Sequence, residues 1–181
     1  MVLPKHIECR KVNTRGNCYQ DKEKEFVNYC IREMERKDIF KEYNLEIPPE
    51  VIFLLYDRRK KQYIAMVGVT RPGIVRKLFV IPSQRRRGFG TYLSLLAKVY
   101  ILTYLNTVPV SYVFEDNVKM VKFLEEQGMR EVASDLGDKK THIPLRRFIL
   151  DNFQKFGLML QEYNIPSCYN EISDLWYCAS Y

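Results

Sequence analysis

Leu78-Phe79-Val80-Ile81-Pro82-Ser83-Gln84-Arg85-Arg86-Arg87-Gly88-Phe89-Gly90-Thr91 is the stretch on which the reading of this chain turns. An apolar run ends at Pro82, a basic loop carrying two glycines follows, and a helix starts at about Thr91. The glycines let the backbone turn so that several N–H groups point into one concavity. The helix N-terminus adds unpaired N–H donors and a partial positive charge. Arg85, Arg86 and Arg87 add up to three full charges on the side chain that binds phosphate with two nitrogens at once. The physical expectation is a pyrophosphate site at Arg85–Thr91.

Other phosphate loops fit less well. Gly68 and Gly73 have the glycine spacing of G-x-x-x-x-G-K-[ST], but Ile74 stands where the lysine belongs. The pattern G-x-G-x-x-G fails because Leu93 stands where the third glycine would fall.

Upstream, Ile7–Val12 reads as a strand, 13–20 as a break, and Asp21–Tyr43 as helical. Val27, Cys30, Ile31 and Met34 recur at helical spacing on one face, and Ile39, Phe40 and Tyr43 suggest a kink or a second helix before Pro48-Pro49. Val51–Tyr56, Tyr63–Val69 and Ile74–Ile81 read as three antiparallel strands. The polar tip from Asp57 to Gln62 and the Arg71-Pro72-Gly73 turn connect them.

Downstream, Thr91–Asn106 is apolar on nearly every side, with a thin polar stripe at Thr91, Ser94 and Lys98, as expected of a helix buried by its neighbours. Val110–Phe114 reads as a strand. Asn117–Gln127 reads as an amphipathic helix with Met120, Val121 and Leu124 inward and Lys119, Lys122 and Glu126 outward, stopped by Gly128. Arg130–Ser134 and Thr141–Leu150 are further strands, and Phe153, Phe156 and Leu160 line a short helix. The tail from Tyr163, with Trp176 and Tyr177, is aromatic enough to pack on the domain or on a partner.

Composition bounds the rest. A chain of 181 residues suits one domain, and 13% aromatic residues argue against disorder. The net charge of +7 favours anionic partners. Cys9, Cys18, Cys30, Cys168 and Cys178 are odd in number and never spaced C-x-x-C, which suggests a reducing compartment and no metal site. With no apolar leader at the start and no run of about 20 apolar residues, the expectation is a cytoplasmic or nuclear protein, neither secreted nor membrane-spanning.

Leu78-x-Val80-x-Pro82-x-x-Arg85-x-x-Gly88-x-Gly90 resembles the acetyl-CoA-binding motif of the GNAT superfamily of acyl-CoA N-acyltransferases. Asn117, Met120, Phe123, Gly128 and Met129 have the spacing of that superfamily's second motif, and the order of elements is similar too. The resemblance implies an α/β (α+β) fold: a central mixed, largely antiparallel twisted sheet flanked by helices. It would occupy residues 1–150, best matched over 51–133, with 151–181 as a C-terminal extension.

The resemblance also implies acetyl-CoA as cofactor. Its pyrophosphate would rest on the backbone amides of Arg85, Arg86, Arg87, Gly88, Phe89, Gly90 and Thr91. Its pantetheine arm would lie along Leu78, Phe79 and Val80, and Asn117 would touch that arm. The Val80 N–H is similar to the superfamily's oxyanion donor. Asn117 would equally serve as the N-cap of its own helix.

The catalytic side chains depart from the pattern. Many relatives carry a Tyr seven positions after the motif Asn, where this chain has Leu124. Some carry a carboxylate or Tyr where this one has Ile74 and Val75. An amine must lose a proton before it attacks, since its ordinary pKa is about 10.4. The candidate bases left are Tyr112 and Glu115; Tyr112 matches a position where some protein-acetylating relatives carry a catalytic side chain. The bland alternative is that Tyr112 packs and Glu115 flanks a helix. His6 and His142 have no motif around them.

The expected activity is acetyl transfer to an amine (a protein lysine, a protein N-terminus or a small amine) by direct attack in a ternary complex. Two other classes stay open: a catalytically weak or inactive module that binds CoA, and nucleic-acid binding through the basic surface, which a charge of +7 permits but does not favour. Glu42, Glu46 and Glu50 could make the acceptor groove acidic.

Overall fold

The computed structural model describes residues 2–14, 20–35, 49–133 and 145–167. Ile7–Asn13 (β1) is followed by the helix Asp21–Glu35 (α1), then by Val51–Asp57 (β2), Gln62–Thr70 (β3) and Ile74–Val80 (β4). These four strands pair antiparallel in sequence order, as the alternation of apolar runs and polar turns predicts. Asp57 sets the β2–β3 turn: its buried Oδ1 accepts from the N–H groups of Arg59 (2.9 Å) and Lys60 (3.1 Å).

Phe89–Thr103 (α2), Val110–Phe114 (β5), Val118–Glu126 (α3), Met129–Ala133 (β6), Leu145–Leu150 (β7) and Phe153–Glu162 (α4) complete the described chain. One seven-stranded sheet results, in the order β1-β2-β3-β4-β5-β7-β6. It is mixed, with β4–β5 its one parallel pair and every other neighbour antiparallel. Among the described residues no helix is long and apolar enough to cross a membrane.

The sheet is covered on both faces, which explains why β2 and β3 are apolar throughout rather than alternating. On one face α1 buries Val27 and Cys30 against Ile52, Leu54, Met66 and Phe79. On the other, α2 packs against Phe53, Leu55, Val67 and Val69, joined by Val121 and Leu124 of α3 and by Phe156 and Leu160 of α4. The segment following β7 therefore packs on the α2 face, and Ile165 is buried with it.

Several expectations are corrected in detail. α2 begins at Phe89, two residues before Thr91, because Gly88 already takes the turn-forming left-handed conformation (φ 79°), and it stops at Thr103 rather than Asn106. Phe153 belongs to α4 but is 54% exposed, since only Phe156 and Leu160 face the sheet. The face Ile39, Phe40, Tyr43 and the tail residues Trp176 and Tyr177 lie outside the described residues. So do Glu42, Glu46, His142, Cys18, Cys168 and Cys178.

Two of the three residues of the polar stripe of α2 are buried. Ser94 and Lys98 lie at 1% and 0% exposure, and Lys98 Nζ donates to Ser94 Oγ (2.8 Å) and to Gln127 Oε1 at the end of α3. Ser94 Oγ also donates to Gln127 Oε1 at 2.8 Å. Both partners of the lysine are neutral, so burial pulls its pKa down to about 7.

Because the folded pKa lies below the unfolded one, the unfolded chain holds the extra proton between the two values, and stability rises with pH across that window. At about 1.4 kcal/mol per pKa unit, the buried ammonium costs on the order of 3–5 kcal/mol below pH 7 and almost nothing above pH 10.5. Lys98→Met is expected to raise Tm by about 5–10 °C at pH 6 and far less at pH 10. Calorimetry at both pH values checks this; an equal gain at the two would show that the burial of charge is not what Lys98 costs.

Candidate functional site

β4 and β5 pair only at Ile74–Val110 and Val75–Ser111, and then they part. The cause lies in β4. Lys77 takes a left-handed conformation (φ 53°), and the β3–β4 register slips between Met66 and Gly68, so β4 carries one residue more than β3 opposes. Such a bulge bends its strand and increases the local twist. Beyond it β4 stays bonded to β3 and turns away from β5.

The backbone of the open edge can be placed by alternation. The Ile81 N–H donates to Ile64 O of β3 at 3.0 Å, so the N–H and C=O of Val80 point the other way, toward β5. Leu78 shares that orientation. Half of the hydrogen-bonding groups at the end of β4 thus face a cleft instead of a strand.

At the mouth of the cleft, Pro82–Gln84 form one 3₁₀ turn, and the chain then passes through Arg86 (φ 59°) and Gly88 (φ 79°) into α2. Gly88 is the N-cap and has no side chain to offer the helix. Among the described residues, no backbone N–H from Arg86 to Thr91 has a protein acceptor; the first one satisfied is that of Tyr92, on Gly88 O at 2.9 Å. Six consecutive donors at a helix N-terminus form an anion-binding concavity. Phe89, 2% exposed, anchors the loop beneath them.

A Cβ added at Gly90 would lie 3.5 Å from Val80 Cγ2 and 4.0 Å from Leu78 Cδ2, which is ordinary contact. The fold therefore does not demand glycine at 90. What a side chain there would occupy is the space between the loop and the open edge of β4.

The arginines are exposed and partly committed. Arg85 Nε donates to Val80 O at 3.0 Å, and its guanidinium lies 5.7 Å from the Phe79 ring centre. Arg87 donates to Gln84 Oε1 and stands 5.2 Å from the Phe89 ring centre. Arg86 is free of such contacts. The loop is thus held in shape by two of its own cations.

The structure separates the candidate catalytic residues. Tyr112 directly follows Ser111, the last residue of β5 that pairs with β4. Ser111 and Val113 face α2, whereas Tyr112 is 39% exposed on the α1 side where the strands begin to part. Glu115 is exposed just past the end of β5. Asn117 is the N-cap of α3, its Oδ1 accepting from the Met120 N–H at 3.2 Å, so the capping role is filled. Leu124 is buried at 3% in the apolar cluster that includes the sheet side chains.

The sequence reading missed a wall of rings on the α1 face beside the end of β4. Phe26 and Tyr29 of α1 meet Tyr63 and Phe79, and Tyr63 meets Tyr56. Beneath it Tyr63 Oη donates to buried Glu23 and accepts from Arg10 Nη1 at 2.9 Å. Burial and the Glu23 bond raise the Tyr63 pKa, so it stays a phenol. The available signal was aromatic residues at helical spacing beside the apolar stripe of α1. Among the described residues there is no cluster of metal-ligating side chains, and the thiols of Cys9 and Cys30 are free, each with its pKa pushed up by burial.

No protein-family model and no curated sequence matches the chain. Solved structures do. A variant of spermidine N-acetyltransferase SpeG from Vibrio cholerae aligns with 86% of this chain and 99% of its own, at 16% identity and a TM-score of 0.58. A chimera of that SpeG with hSSAT aligns over 84% and 99%, at 18% and 0.57. YjaB from Escherichia coli aligns over 80% and 97%, at 17% and 0.55. At such identity the likeness is one of fold, and it takes in nearly the whole of each neighbour. The fold is the GNAT-like α/β fold that the motif led one to expect.

Two glycines of one motif should respond differently to substitution. Gly88→Ala, forced into the left-handed region, is expected to lose about 1 kcal/mol, or roughly 2–4 °C in Tm. Gly90→Ala is expected to leave Tm unchanged within about 1 °C, since ordinary contact adds no strain. Thermal melts of the two variants check the difference; a large loss at Gly90 would mean that the fold, not a ligand, requires glycine there.

Proposed function

We propose that the protein is an acetyl-CoA-dependent N-acetyltransferase that passes an acetyl group to an amine by direct attack. The observation that carries this reading is the run of unpaired N–H groups from Arg86 to Thr91 beside the open backbone edge of β4. Diphosphate oxygens match the first feature and an extended amide-bearing arm matches the second. The space at Gly90 between them fits a close approach of such an arm. The likeness in fold to the SpeG structures, which are named spermidine N-acetyltransferases, supports the same class of reaction.

Acetyl-CoA, when bound, supplies an activated acetyl group as a thioester. The chain's own residues then have distinct tasks. The Arg86–Thr91 amides hold the diphosphate, with Arg85, Arg86 and Arg87 screening its charge. Leu78, Phe79 and Val80 align the arm; Arg85 must release Val80 O for that alignment to form. The Val80 N–H, aimed into the cleft, is placed to receive the negative charge that develops on the carbonyl oxygen.

Glu115, exposed just past the end of β5, is the candidate to take the proton of the amine through a water, and Tyr112 is the second candidate. The acceptor is a small amine, a protein lysine or a protein N-terminus. A second reading, a module that binds CoA and transfers slowly, rests on Leu124, which puts buried hydrocarbon where relatives carry a proton donor.

Acetyl-CoA at about 100 times its Kd is expected to stabilise the fold by about 2.7 kcal/mol, a rise in Tm of roughly 5–10 °C. Arg87→Glu should abolish the rise. Release of free CoA, followed against pH with a panel of amines and peptides, should depend on the added acceptor. A wild-type protein whose Tm ignores acetyl-CoA would end this account, and binding without turnover for any acceptor would leave the slow module.

A further inference from the structure

The turn between β2 and β3 carries four consecutive cations, Arg58, Arg59, Lys60 and Lys61, and all four are exposed. The one carboxylate of the turn, Asp57, is buried beneath them and accepts from the backbone N–H groups of Arg59 and Lys60. It fixes the shape of the turn and leaves the cations on the surface. Arg58 is bound to Glu8 at 3.0 Å. Among the described residues no carboxylate pairs with Arg59, Lys60 or Lys61, nor with Lys22 of α1.

An open groove of about 710 Å³ lies between this hairpin and the first two turns of α1. Lys61 stands on one rim and Lys22 on another, with Glu25 the one carboxylate of the lining; the third rim, Ile81-Pro82-Ser83, is uncharged. The apolar wall is the ring cluster Phe26, Tyr29, Tyr56 and Tyr63. Ring centres lie 5.0 Å apart for Tyr56–Tyr63 and 5.5 Å for Phe26–Tyr63, and Tyr29 is 38% exposed. The wall is pinned from behind. Arg10 stands 4.4 Å from the Tyr56 ring centre and donates to Tyr63 Oη, which donates to Glu23. Such a wall receives a flat ring with little ordering to be done on binding.

Composition alone does not favour nucleic acid, because a charge of +7 spread over 181 residues attracts weakly. Placement changes the balance, since unpaired cations gather on two rims of one ring-lined groove. A single strand presents a flat ring and a negative charge in every unit, so rings can enter the groove while phosphates stay at its rims. A duplex keeps its ring faces stacked inside and offers such a wall only edges. An acidic peptide brings the charge without a ring in each unit.

We propose that the groove between the β2–β3 hairpin and α1 is a docking surface for single-stranded nucleic acid, with bases against Tyr29 and Tyr56 and phosphates along Lys22, Arg59, Lys60 and Lys61. None of residues Arg86–Thr91 lines the groove, so strand binding is distinct from holding the acyl-CoA.

The full chain is titrated into a fluorescein-labelled oligouridylate of about 12 nucleotides, with anisotropy read between about 0.05 and 0.2 M salt. The comparison probes are a trinucleotide, an RNA duplex of the same length and a polyglutamate peptide. The proteins are the wild type, the Arg59→Glu, Lys60→Glu double variant, Tyr29→Ala and Tyr29→Phe, the Tm of each being checked first. The wild type is expected to bind the oligouridylate at least about tenfold more tightly than any comparison probe. Its affinity should fall by about 50-fold across the salt range, as roughly four phosphate contacts on a single strand require. The double variant should lose at least about tenfold and show a shallower salt dependence. Tyr29→Ala should lose at least about fivefold with its salt dependence unchanged, and Tyr29→Phe, which keeps the ring, should bind as the wild type does.

A duplex or polyglutamate bound as tightly as the strand would overturn the proposal in favour of a general polyanion or acidic-peptide surface. Equal affinity for the trinucleotide would reduce the groove to a single-nucleotide pocket and overturn it too. So would a wild type that leaves the strand unbound at the lowest salt, or a Tyr29→Ala variant that binds it undiminished.

Discussion

The parting of β4 from β5 is the constraint on which the rest of the site depends. Two adjacent parallel strands would ordinarily satisfy each other's backbone groups along their whole length, and a sheet that closed here would have no cleft. One residue prevents closure. Lys77, in a conformation that L-residues seldom adopt, adds a residue to β4 and bends it, while β4 keeps its bonds to β3 on the far side. The strain is tolerable because β3 and α2 hold β4 in place through Val67, Val69 and Leu93. A local distortion thereby becomes a permanent groove with N–H and C=O groups along one wall.

The loop that follows makes the same kind of exchange. A helix with buried neighbours on every side would gain from a Ser or Asp N-cap, typically by about 1 kcal/mol. α2 has Gly88 there, and leaves its first-turn donors unsatisfied. Stability is given up at the point where the N–H groups stay open. α3 and α4 behave as ordinary helices do: Asn117 and Asn152 cap them, with side-chain oxygens accepting from Met120 and Lys155. Among these three helices, α2 is the one left without a capping side chain.

Much of this was legible from residue order, for a physical reason. A site built from backbone groups is written locally: a strand end, a proline, glycines and a helix start must follow one another within some fourteen residues, here Leu78 to Thr91. The hairpin turn at Asp57 and the stop at Gly128 are equally local, and both stand where the pattern put them. Properties that depend on what arrives from elsewhere were not legible. Nothing in residue order says that Ser94 and Lys98 of the polar stripe meet Gln127, from the end of another helix. Phe153 looks like core until α4 packs through Phe156 and Leu160 and leaves it exposed. The slip at Lys77 has no signature in residue type at all.

The same distinction separates the loop of open N–H groups, which residue order specifies locally, from any side chain that moves a proton, which it does not. Proton transfer needs a side chain at a given point in space, and any of several strands or loops can deliver one. Leu124 lies buried in the apolar cluster, and Glu115 lies exposed just past the end of β5. Because β4 is held by β3 and β5 by β7, the width of the opening between β4 and β5 is set by how far the bulge at Lys77 bends β4 away.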